Sequence, residues 1–353
     1  MNTPDLRLPA EWEPQAGIML TWPHADSDWR DSLSLIEPVF LRLATEIAQR
    51  EQLLVNCFDE HTAIRIRNHL CKKNIPEQNL ITAIVPSDDT WARDHGPLTR
   101  WRNGGPELLD FVFNGWGGKY PAERDNAVTR QLVAAGVFGN TPVIPVGLVL
   151  EGGSIDSDGT GTLLATRRCL LHPQRNPALD AAAIEQRLHE LLGTQRVLWL
   201  SHGELAGDDT DGHIDMLVRF ASPTHLVYQH CSESGYSRAT ALEAMESELR
   251  QLRTRDGEPY QLTPLPWPSP KYNAAGERLP ASYANFLLVN GALLMPAYED
   301  TQDDIAAAQL QQCFPEREII QVPCLPLIQQ HGSLHCVTLQ FPAGVEFRPA
   351  NPG

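Results

Sequence analysis

Short apolar runs, each bounded by Gly, Pro, Asn or Asp, recur along the chain and predict β-strands. They lie at 17–22, 52–58, 81–86, 108–113, 161–166, 196–200, 214–220, 224–229, 286–290, 292–297 and 337–341. Between them, apolar residues three to four positions apart predict helices near 32–49, 61–72, 125–135, 178–192, 237–253 and 301–312. This alternation of strands and helices predicts an α/β protein.

Two pairs of runs have the spacing of β-hairpins. One pair turns at Asn290-Gly291, and the other, 214–220 and 224–229, is separated by a short loop. The repeating unit is therefore predicted to be strand, strand, helix, strand. Because one such unit is too small to bury a core alone, five are expected to stack into a propeller-like ring. The Pro-rich segment 255–281 is predicted to be a long loop that forms a lid or a rim.

Five polar residues stand before or at the start of apolar runs or beside turns: Asp94, Glu151, His213, Asn285 and Cys336. Their successive separations are 57, 62, 72 and 51 residues. A roughly regular period is typical of repeat architectures. The spacing predicts that similar segments each deliver one side chain to a shared site.

Length and charge narrow the function. The 353 residues exceed what one core usually holds, which favours two domains or a ring around one centre. The net charge of −16 argues against nucleic acid and is compatible with a cationic ligand. No apolar run approaches the ~20 residues of a membrane span. The first residues lack the pattern of a signal peptide, so we expect a cytoplasmic protein.

The cysteines are expected to be reduced. Seven are present, an odd number without a Cys-x-x-Cys pair, which argues against a disulfide framework and a structural zinc cluster. Cys57, Cys169, Cys231 and Cys313 are interpreted as small buried apolar residues. Cys336 differs, because polar residues precede it and an apolar strand follows. It is the candidate nucleophile, provided that a neighbour helps its thiol to ionise.

A second chemical cluster surrounds His213. In a strand, His213 and Asp215 would point to the same side, which suits a histidine oriented by a carboxylate. Four carboxylates lie between Asp208 and Asp215, and such crowding is costly unless cations or hydrogen-bond donors bind there. A guanidinium is a planar cation that two carboxylates can hold while a thiolate approaches its carbon. Two alternatives are an ordinary thiol hydrolase and a metal-dependent hydrolase or oxygenase that uses His213, Asp215 and His335.

Seven motifs follow one another along the chain: PAEWEPQAGIMLTWP, WARDHGP, NGWGGKY, LEGGSID, GDDTDGHID, SYANFLLVNGALLMP and HGSLHCVT. In this order they resemble those of the agmatine deiminase and bacterial peptidylarginine deiminase family of guanidino-group-modifying enzymes. The resemblance runs from about residue 8 to residue 343. It implies a single deiminase domain over 1–353 with the pentein fold, a five-bladed α/β propeller of pseudo-symmetric ββαβ units around a central active site.

The resemblance also implies roles for individual residues. Cys336 matches the nucleophile, His213 the general acid and base, and Glu151 the acid that positions His213. Asp94 and Asp215 match the carboxylates that hold the guanidinium. Substrate binding is assigned to Trp91, Trp116, Asn285 and Asp211.

The implied reaction is hydrolytic deimination through a covalent thiouronium on Cys336, without cofactor or metal. Agmatine, converted to N-carbamoylputrescine and ammonia, is the favoured substrate. Peptidylarginine and free arginine remain alternatives, because His331-Gly332-Ser333-Leu334-His335-Cys336 departs from the Gly-Gly-Gly-Asn-Ile-His-Cys of typical agmatine deiminases. The expected partner is a small cationic guanidino compound, with no nucleic acid and no membrane. A homodimer is a possible oligomeric state.

Overall fold

The computed structural model describes residues 6–233, 235 and 237–350. The chain forms two compact units, each built from segments that are separate in sequence. The Asp94 unit comprises Glu11–Gly152, Leu288–Gly291 and, from Cys336 onward, the described C-terminal residues. The His213 unit comprises Gly153–Leu287, Ala292–His335 and the described residues up to Ala10. The single domain expected over 1–353 stays a prediction.

The described residues form strands and helices in alternation, which confirms the predicted α/β class. The strands are β1 (Leu6–Arg7), β2 (Gln15–Thr21), β3 (Gln52–Cys57), β4 (Leu80–Ile84), β5 (Leu98–Arg102), β6 (Gly105–Val112), β7 (Val143–Val149), β8 (Ile155–Ser157), β9 (Thr162–Thr166), β10 (Arg196–Leu200), β11 (Val218–Ser222), β12 (His225–Gln229), β13 (Gln261–Leu265), β14 (Leu287–Val289), β15 (Ala292–Ala297), β16 (Glu318–Pro323) and β17 (Thr338–Pro342). The α-helices are α1 (Leu33–Ala48), α2 (Glu60–Lys72), α3 (Ala92–His95), α4 (Gly115–Gly118), α5 (Val128–Ala134), α6 (Arg167–Leu170), α7 (Ala181–Leu192), α8 (Ala239–Gln251), α9 (Asp303–Cys313) and α10 (Leu325–Ile328). Short 3₁₀ helices lie at Arg30–Ser32, Glu77–Asn79, Asp125–Ala127, Gly152–Ser154 and Ile214–Met216.

The Asp94 unit contains two sheets of related construction. In one, β17 runs antiparallel to β2, β2 is parallel to β3, and β3 is parallel to β4. In the other, β5 is antiparallel to β6, and β6 is parallel to β7. A helix lies in sequence between the parallel neighbours, α1 between β2 and β3 and α5 between β6 and β7. The apolar face of α1 shows why it packs there, since its buried residues recur at helical spacing: Ile36, Phe40, Leu43 and Ile47.

The His213 unit repeats the same order. β8 is antiparallel to β9, and β9 is parallel to β10 after α7. β11 is antiparallel to β12, and β12 is parallel to β13 after α8. β15 and β16 pair in parallel after α9, and the chain turns from β14 to β15 at Asn290 and Gly291, as predicted. Asp180 caps α7 by accepting a hydrogen bond from the Ala183 N–H at 2.9 Å. The predicted strand, strand, helix, strand unit is therefore present in both units.

Two predicted elements differ from the structure. The segment 255–281 was predicted to be a loop, but it contains β13, a strand with a proline at a sheet edge, where a missing N–H is tolerated. The strand predicted at 214–220 starts only at Val218, because Ile214–Met216 turns as a 3₁₀ helix after Gly212, whose φ is +85°. The alternation of His213 and Asp215 along a strand is therefore wrong. No helix in the described part of the chain has the length and apolar character needed to cross a membrane.

Candidate active site

The Asp94 turn, residues 88–96, lies beside Cys336 within the Asp94 unit. The Arg93 N–H donates to the Cys336 carbonyl at 3.2 Å, which fixes the start of α3 against the residue that precedes β17. Gly96 permits this approach, because a Cβ there would lie 2.4 Å from Cδ2 of Leu339. Asp94 and Cys336 are both buried, with 4% and 6% of their surface exposed. The predicted carboxylate and the predicted nucleophile therefore belong to two segments in direct backbone contact.

Trp116 contacts the predicted carboxylate directly. Its Nε1–H donates to Oδ2 of Asp94 at 3.0 Å, and its backbone has a positive φ of 55°. Asn114 stabilises this tight turn by accepting the Gly117 N–H at 2.8 Å. The rings of Trp91 and Trp116 meet edge to face with centroids 6.4 Å apart. The two tryptophans assigned to substrate binding thus form one aromatic surface beside Asp94.

Two further carboxylates, Asp125 outside the Asp94 turn and Asp89 within it, stabilise this turn by accepting hydrogen bonds. Asp125 accepts the backbone N–H groups of Asp88 and Asp89 at 2.7 and 3.2 Å. Asp89 in turn accepts from Nε1 of Trp29 at 2.7 Å and from the backbone of Thr90. Burial raises the pKa of Asp125 well above its usual range and raises the pKa of Asp89 to about 6, against the hydrogen bonds that favour the charged forms.

Glu151 is fully buried in the same unit. The residue after it, Gly152, packs against the Asp94 turn so closely that a Cβ would lie 2.2 Å from the Arg93 carbonyl oxygen. Next to Asp94, burial lowers the pKa of His95 to about 3, so this imidazole is neutral near pH 7. Its neutrality means that His95 adds no positive charge beside Asp94.

The His213 loop, residues 207–216, is organised by a half-buried acid, Asp208, in a similar way. Asp208 accepts the N–H groups of Thr210 and Gly212 at 3.0 and 2.8 Å. The Thr210 hydroxyl donates to Asp208 and accepts the His213 N–H at 3.1 Å. Burial raises the pKa of Asp208, while these donors oppose the increase. His213 itself is 1% exposed and directly precedes the 3₁₀ turn Ile214–Met216.

Asp211 is engaged by a buried arginine that the sequence did not indicate. Nη1 of Arg175 lies 2.8 Å from Oδ2 of Asp211, and Nη2 donates to the Thr210 carbonyl at 2.9 Å. The Arg175 side chain has no exposed surface, and that of Asp211 is 11% exposed. Asp211 also has a positive φ of 69°. The substrate-binding role assigned to Asp211 stays a prediction, and any cation that it binds competes with Arg175.

The carboxylate of Asp215 is hydrogen-bonded to the imidazole ring of His335. Nδ1 of His335 lies 2.8 Å from Oδ2 of Asp215, and both side chains are buried. Burial alone pushes the pKa of Asp215 upward, but the His335 hydrogen bond, together with the charges of His335, His213 and Arg219, lowers it overall. Asp215 is therefore held in its ionised form.

Asn285 also binds the residue that precedes Cys336. Its Oδ1 accepts the His335 N–H at 2.8 Å, and its Nδ2 donates to the Asp215 carbonyl at 3.4 Å. These bonds connect the backbones at 215 and 335 through one buried amide. The substrate-binding role of Asn285 stays a prediction, and the amide already has two protein partners.

The chain is similar in sequence and fold to known deiminases. Residues 7–342 match the family model of the Porphyromonas-type peptidyl-arginine deiminases. An agmatine deiminase of Pseudomonas aeruginosa is 32% identical, over 96% of this chain and 95% of its own. The structure of a variant of C. jejuni agmatine deiminase with substrate bound is 33% identical, with a TM-score of 0.88 and 97% of each chain covered. The agmatine deiminase of Enterococcus faecalis has a TM-score of 0.86 at 28% identity, covering 98% of this chain and 99% of its own.

The chain belongs to the agmatine deiminase and bacterial peptidylarginine deiminase family. Membership in this deiminase family makes it a hydrolase that acts on C–N bonds of a guanidino group. The predicted family and enzyme class are thereby confirmed. The roles of individual residues remain predictions, although each of the nine assigned residues lies in the described part of the chain.

For a deiminase, the basic residues after Asp94 matter because arginine carries a carboxylate and agmatine does not. Arg100 is buried and paired with Glu107 at 2.6 Å, and Arg102 lies 4.0 Å from the same carboxylate. Arg124 lies 3.8 Å from Asp88. These three guanidinium groups already have acidic neighbours within the protein, and the fourth basic candidate of this stretch, Lys119, is exposed.

The alternative metal site does not fit the positions of its three candidates. Among the described residues, His213, Asp215 and His335 do not form a set in which one donor atom from each lies within 4.8 Å of the other two, and Nδ1 of His335 is already hydrogen-bonded to Asp215. Sequence reasoning instead missed Cys169, whose sulfur lies within 4.8 Å of a ring nitrogen of His213. All seven cysteines are described and none forms a disulfide. Cys57, Cys169 and Cys231 are buried as expected, and Cys313 is half-buried.

Proposed function

We propose that this deiminase hydrolyses agmatine to N-carbamoylputrescine and ammonia through a covalent intermediate on Cys336. Asp94 and Asp215 hold the guanidinium by charge-assisted hydrogen bonds. The Cys336 thiolate attacks the guanidinium carbon, a C–S bond forms, and the tetrahedral adduct expels one nitrogen as ammonia after His213 protonates it. A thiouronium then remains on Cys336.

The second half of the reaction releases the product. A water molecule gives one proton to His213 and attacks the thiouronium carbon. The C–S bond then breaks and restores the thiolate, and the former hydroxyl proton passes to the released ammonia, which leaves the ureido product and ammonium. Glu151 orients His213 in this scheme. Splitting the hydrolysis in two lets one histidine serve as acid and then as base. The sum is guanidinium plus water giving urea derivative plus ammonium.

One observation carries the proposal. His335 and Cys336 are consecutive, and each is hydrogen-bonded to a segment that bears one predicted guanidinium-binding carboxylate: His335 to Asp215, and the Cys336 carbonyl to Arg93, the neighbour of Asp94. A nucleophile next to two such anchors fits attack on a planar cation better than an ordinary acyl transfer, in which extra carboxylates oppose the developing oxyanion.

The choice of agmatine over arginine rests on charge. The carboxylate of free or C-terminal arginine calls for a guanidinium or ammonium partner. Arg100, Arg102 and Arg124 already lie beside acids, whereas acidic and aromatic side chains suit the terminal ammonium of agmatine. The family model, which describes peptidyl-arginine deiminases, keeps peptidylarginine as the second candidate.

The finer fold belongs to the same proposal. The strand, strand, helix, strand order recurs in both units, and relatives above 25% identity share the fold at TM-scores near 0.9. We therefore propose the five-bladed pentein arrangement for this chain.

A substrate panel tests the function. Agmatine, arginine, and peptides with internal or C-terminal arginine are incubated with the enzyme in EDTA, and ammonia and ureido product are measured. We expect agmatine to give the highest kcat/KM, and Cys336→Ala to abolish turnover while Cys71→Ala, at an exposed cysteine, leaves it unchanged. Acid-quenched enzyme should carry the amidine adduct on Cys336 by mass spectrometry. A preference for peptides would replace agmatine, and an adduct on another cysteine would refute the mechanism.

A further inference from the structure

His335 has no role in the mechanism above, yet it makes the most direct contact to a predicted catalytic carboxylate in its unit. Its Nδ1 lies 2.8 Å from Oδ2 of Asp215, and the two side chains are 4% and 1% exposed. A carboxylate that is ionised only accepts hydrogen bonds, so Nδ1 must carry the proton. The contact therefore fixes the tautomer of His335 as well as the rotation of the Asp215 carboxylate.

The backbone of His335 is fixed independently. Its N–H donates to Oδ1 of Asn285 at 2.8 Å, while Nδ2 of Asn285 reaches the Asp215 carbonyl at 3.4 Å. Residues 215 and 335 are thus joined twice, once through the backbones and once through the side chains. Both the backbone and the side chain of His335 are therefore held against Asp215 and its neighbour Asn285.

We propose that His335 is a positioning residue of the deimination reaction: its Nδ1–H holds the Asp215 carboxylate in the orientation that accepts the guanidinium. This rests on the proposed function, because it takes Asp215 to be a substrate-binding carboxylate. A bidentate carboxylate–guanidinium pair is strict in geometry. Loss of the hydrogen bond should therefore weaken binding and also misplace the reacting carbon relative to the thiolate.

Two amide substitutions separate the hydrogen bond from other properties of the histidine. In His335→Asn the amide nitrogen can occupy the place of Nδ1, since both are two bonds from Cβ. In His335→Gln the amide nitrogen falls instead near the place of Nε2. Both variants are neutral and polar, so only the first is expected to keep a donor for Asp215.

The measurement is steady-state agmatine hydrolysis by the full-length protein, with folding checked by circular dichroism and thermal unfolding. We expect His335→Asn to stay within about 5-fold of the wild type in kcat/KM. For His335→Gln we expect kcat/KM to fall by about 30- to 100-fold, as expected for a lost hydrogen bond to a charged group. The fall should come from both a higher KM and a lower kcat. The matched control is His202→Gln, because His202 makes a similar contact to Glu248 at 2.9 Å, but on the surface. That control should leave kcat/KM unchanged.

A double-variant cycle distinguishes positioning from a general packing defect. If His335 acts through Asp215, adding His335→Gln to Asp215→Asn should cost less than about 3-fold beyond Asp215→Asn alone. Equal activity of His335→Gln and wild type, or losses that multiply in the double variant, would overturn the inference. Should His335→Gln fail to fold, the comparison of His335→Asn with wild type still decides, because a loss above about 5-fold there contradicts the rescue.

The proposed function can fail separately. If wild-type enzyme acts on peptidylarginine rather than agmatine, the same series is run on that substrate and the expectation for His335 is unchanged. If no guanidino compound on the panel is hydrolysed, or if Cys336→Ala stays active, the proposed function fails and the inference is overturned with it. If the wild type is active and His335→Gln has the same kcat/KM, only the inference about His335 is overturned and the proposed function stands.

Discussion

The Asp94 turn and the His213 loop each present one carboxylate, but they hold it with different chemistry. Asp94 accepts a hydrogen bond from the indole of Trp116 at 3.0 Å, whereas Asp215 accepts one from the imidazole of His335 at 2.8 Å. An indole N–H is neutral at every working pH, while an imidazole can also carry positive charge. The two carboxylates therefore differ in the chemical nature of the group that supports them.

The Asp94 turn and the His213 loop are each stabilised by a further acid that accepts backbone hydrogen bonds. Asp125 and Asp208 both accept backbone N–H groups from the residues that lead into the site, and burial raises the pKa of each. The His213 loop also carries an ion pair with a fully buried arginine, between Arg175 and Asp211. A buried cation that neutralises one acid leaves the others in the crowded segment 208–215 easier to keep ionised.

The largest effect should come from neutralising either carboxylate. Asp94→Asn and Asp215→Asn each keep the shape of the side chain but lose the charge that faces the guanidinium. Truncating one partner of a buried charge pair costs about 2–5 kcal/mol, so we expect kcat/KM for agmatine to fall by about 10³-fold in each variant. Ammonia release under steady-state conditions measures this.

Asp256→Asn is the matched control, because Asp256 is exposed in the described structure and should tolerate the same change. A loss of less than about 10-fold in Asp94→Asn would contradict its direct contact with the substrate. A large loss in only one of the two variants would show that a single carboxylate holds the guanidinium.

Arg175→Met tests what distinguishes the His213 loop. The substitution preserves a long apolar side chain but leaves Asp211 without its buried cation, and breaking a buried pair costs about 3–5 kcal/mol. We expect urea unfolding to show a loss of that size. The double variant Arg175→Met with Asp211→Asn should recover at least half of it, since the unpaired charge is then absent. No recovery would indicate that the Thr210 carbonyl, not Asp211, is the important partner of Arg175.

Trp116→Phe tests the other carboxylate support. The aromatic ring can keep its edge contacts with Trp91 and Phe113, but the N–H to Asp94 is lost. We expect kcat/KM to fall by about 10- to 30-fold, because a hydrogen bond to a charged group contributes about 1.5–3 kcal/mol. Trp199→Phe, which removes an indole N–H from Glu185 at the surface, should change activity by less than 2-fold. A loss equal to that of Asp94→Asn would point to a direct substrate contact of the indole instead.

Much of the fold could be predicted from the sequence because apolar periodicity reports burial. The runs that became β2, β3 and β15 are buried almost throughout, and the six amphipathic helices lie where the pattern placed them. β7, β13 and β16 contain proline or a mixture of polar and exposed residues, so their pattern is weak. Pairing with a neighbouring strand, which sequence periodicity does not show, decides their conformation.

The site was predictable in its residues and not in its contacts. Motifs identified Asp94, Asp215 and Cys336 as candidates, but the partner of Asp215 lies 120 positions away, at His335. Arg175 is 36 positions from Asp211 and belongs to no motif. The 3₁₀ turn after His213 was missed because Ile214, Met216 and Leu217 look like the start of a strand until the positive φ of Gly212 is known.

The smallest effect concerns the pH dependence of stability at the Asp94 turn. Because burial raises the pKa of Asp89 to about 6, the folded state keeps its proton where the unfolded state, near 3.8, has lost it. Its stability contribution is complete below about pH 4 and is lost as the pH rises through about 6. Asp89→Asn cannot lose a proton, and its Oδ1 can still accept from Trp29 and Thr90. We therefore expect the free energy of unfolding of the variant, relative to that of wild type, to increase by about 1–2 kcal/mol as the pH rises from 4 to 7. This is less than the full pKa shift would give, because Asp89 is only partly buried. Urea unfolding at both pH values measures the difference, and a gain that is equal at pH 4 and pH 7 would mean that Asp89 is already ionised in the folded protein.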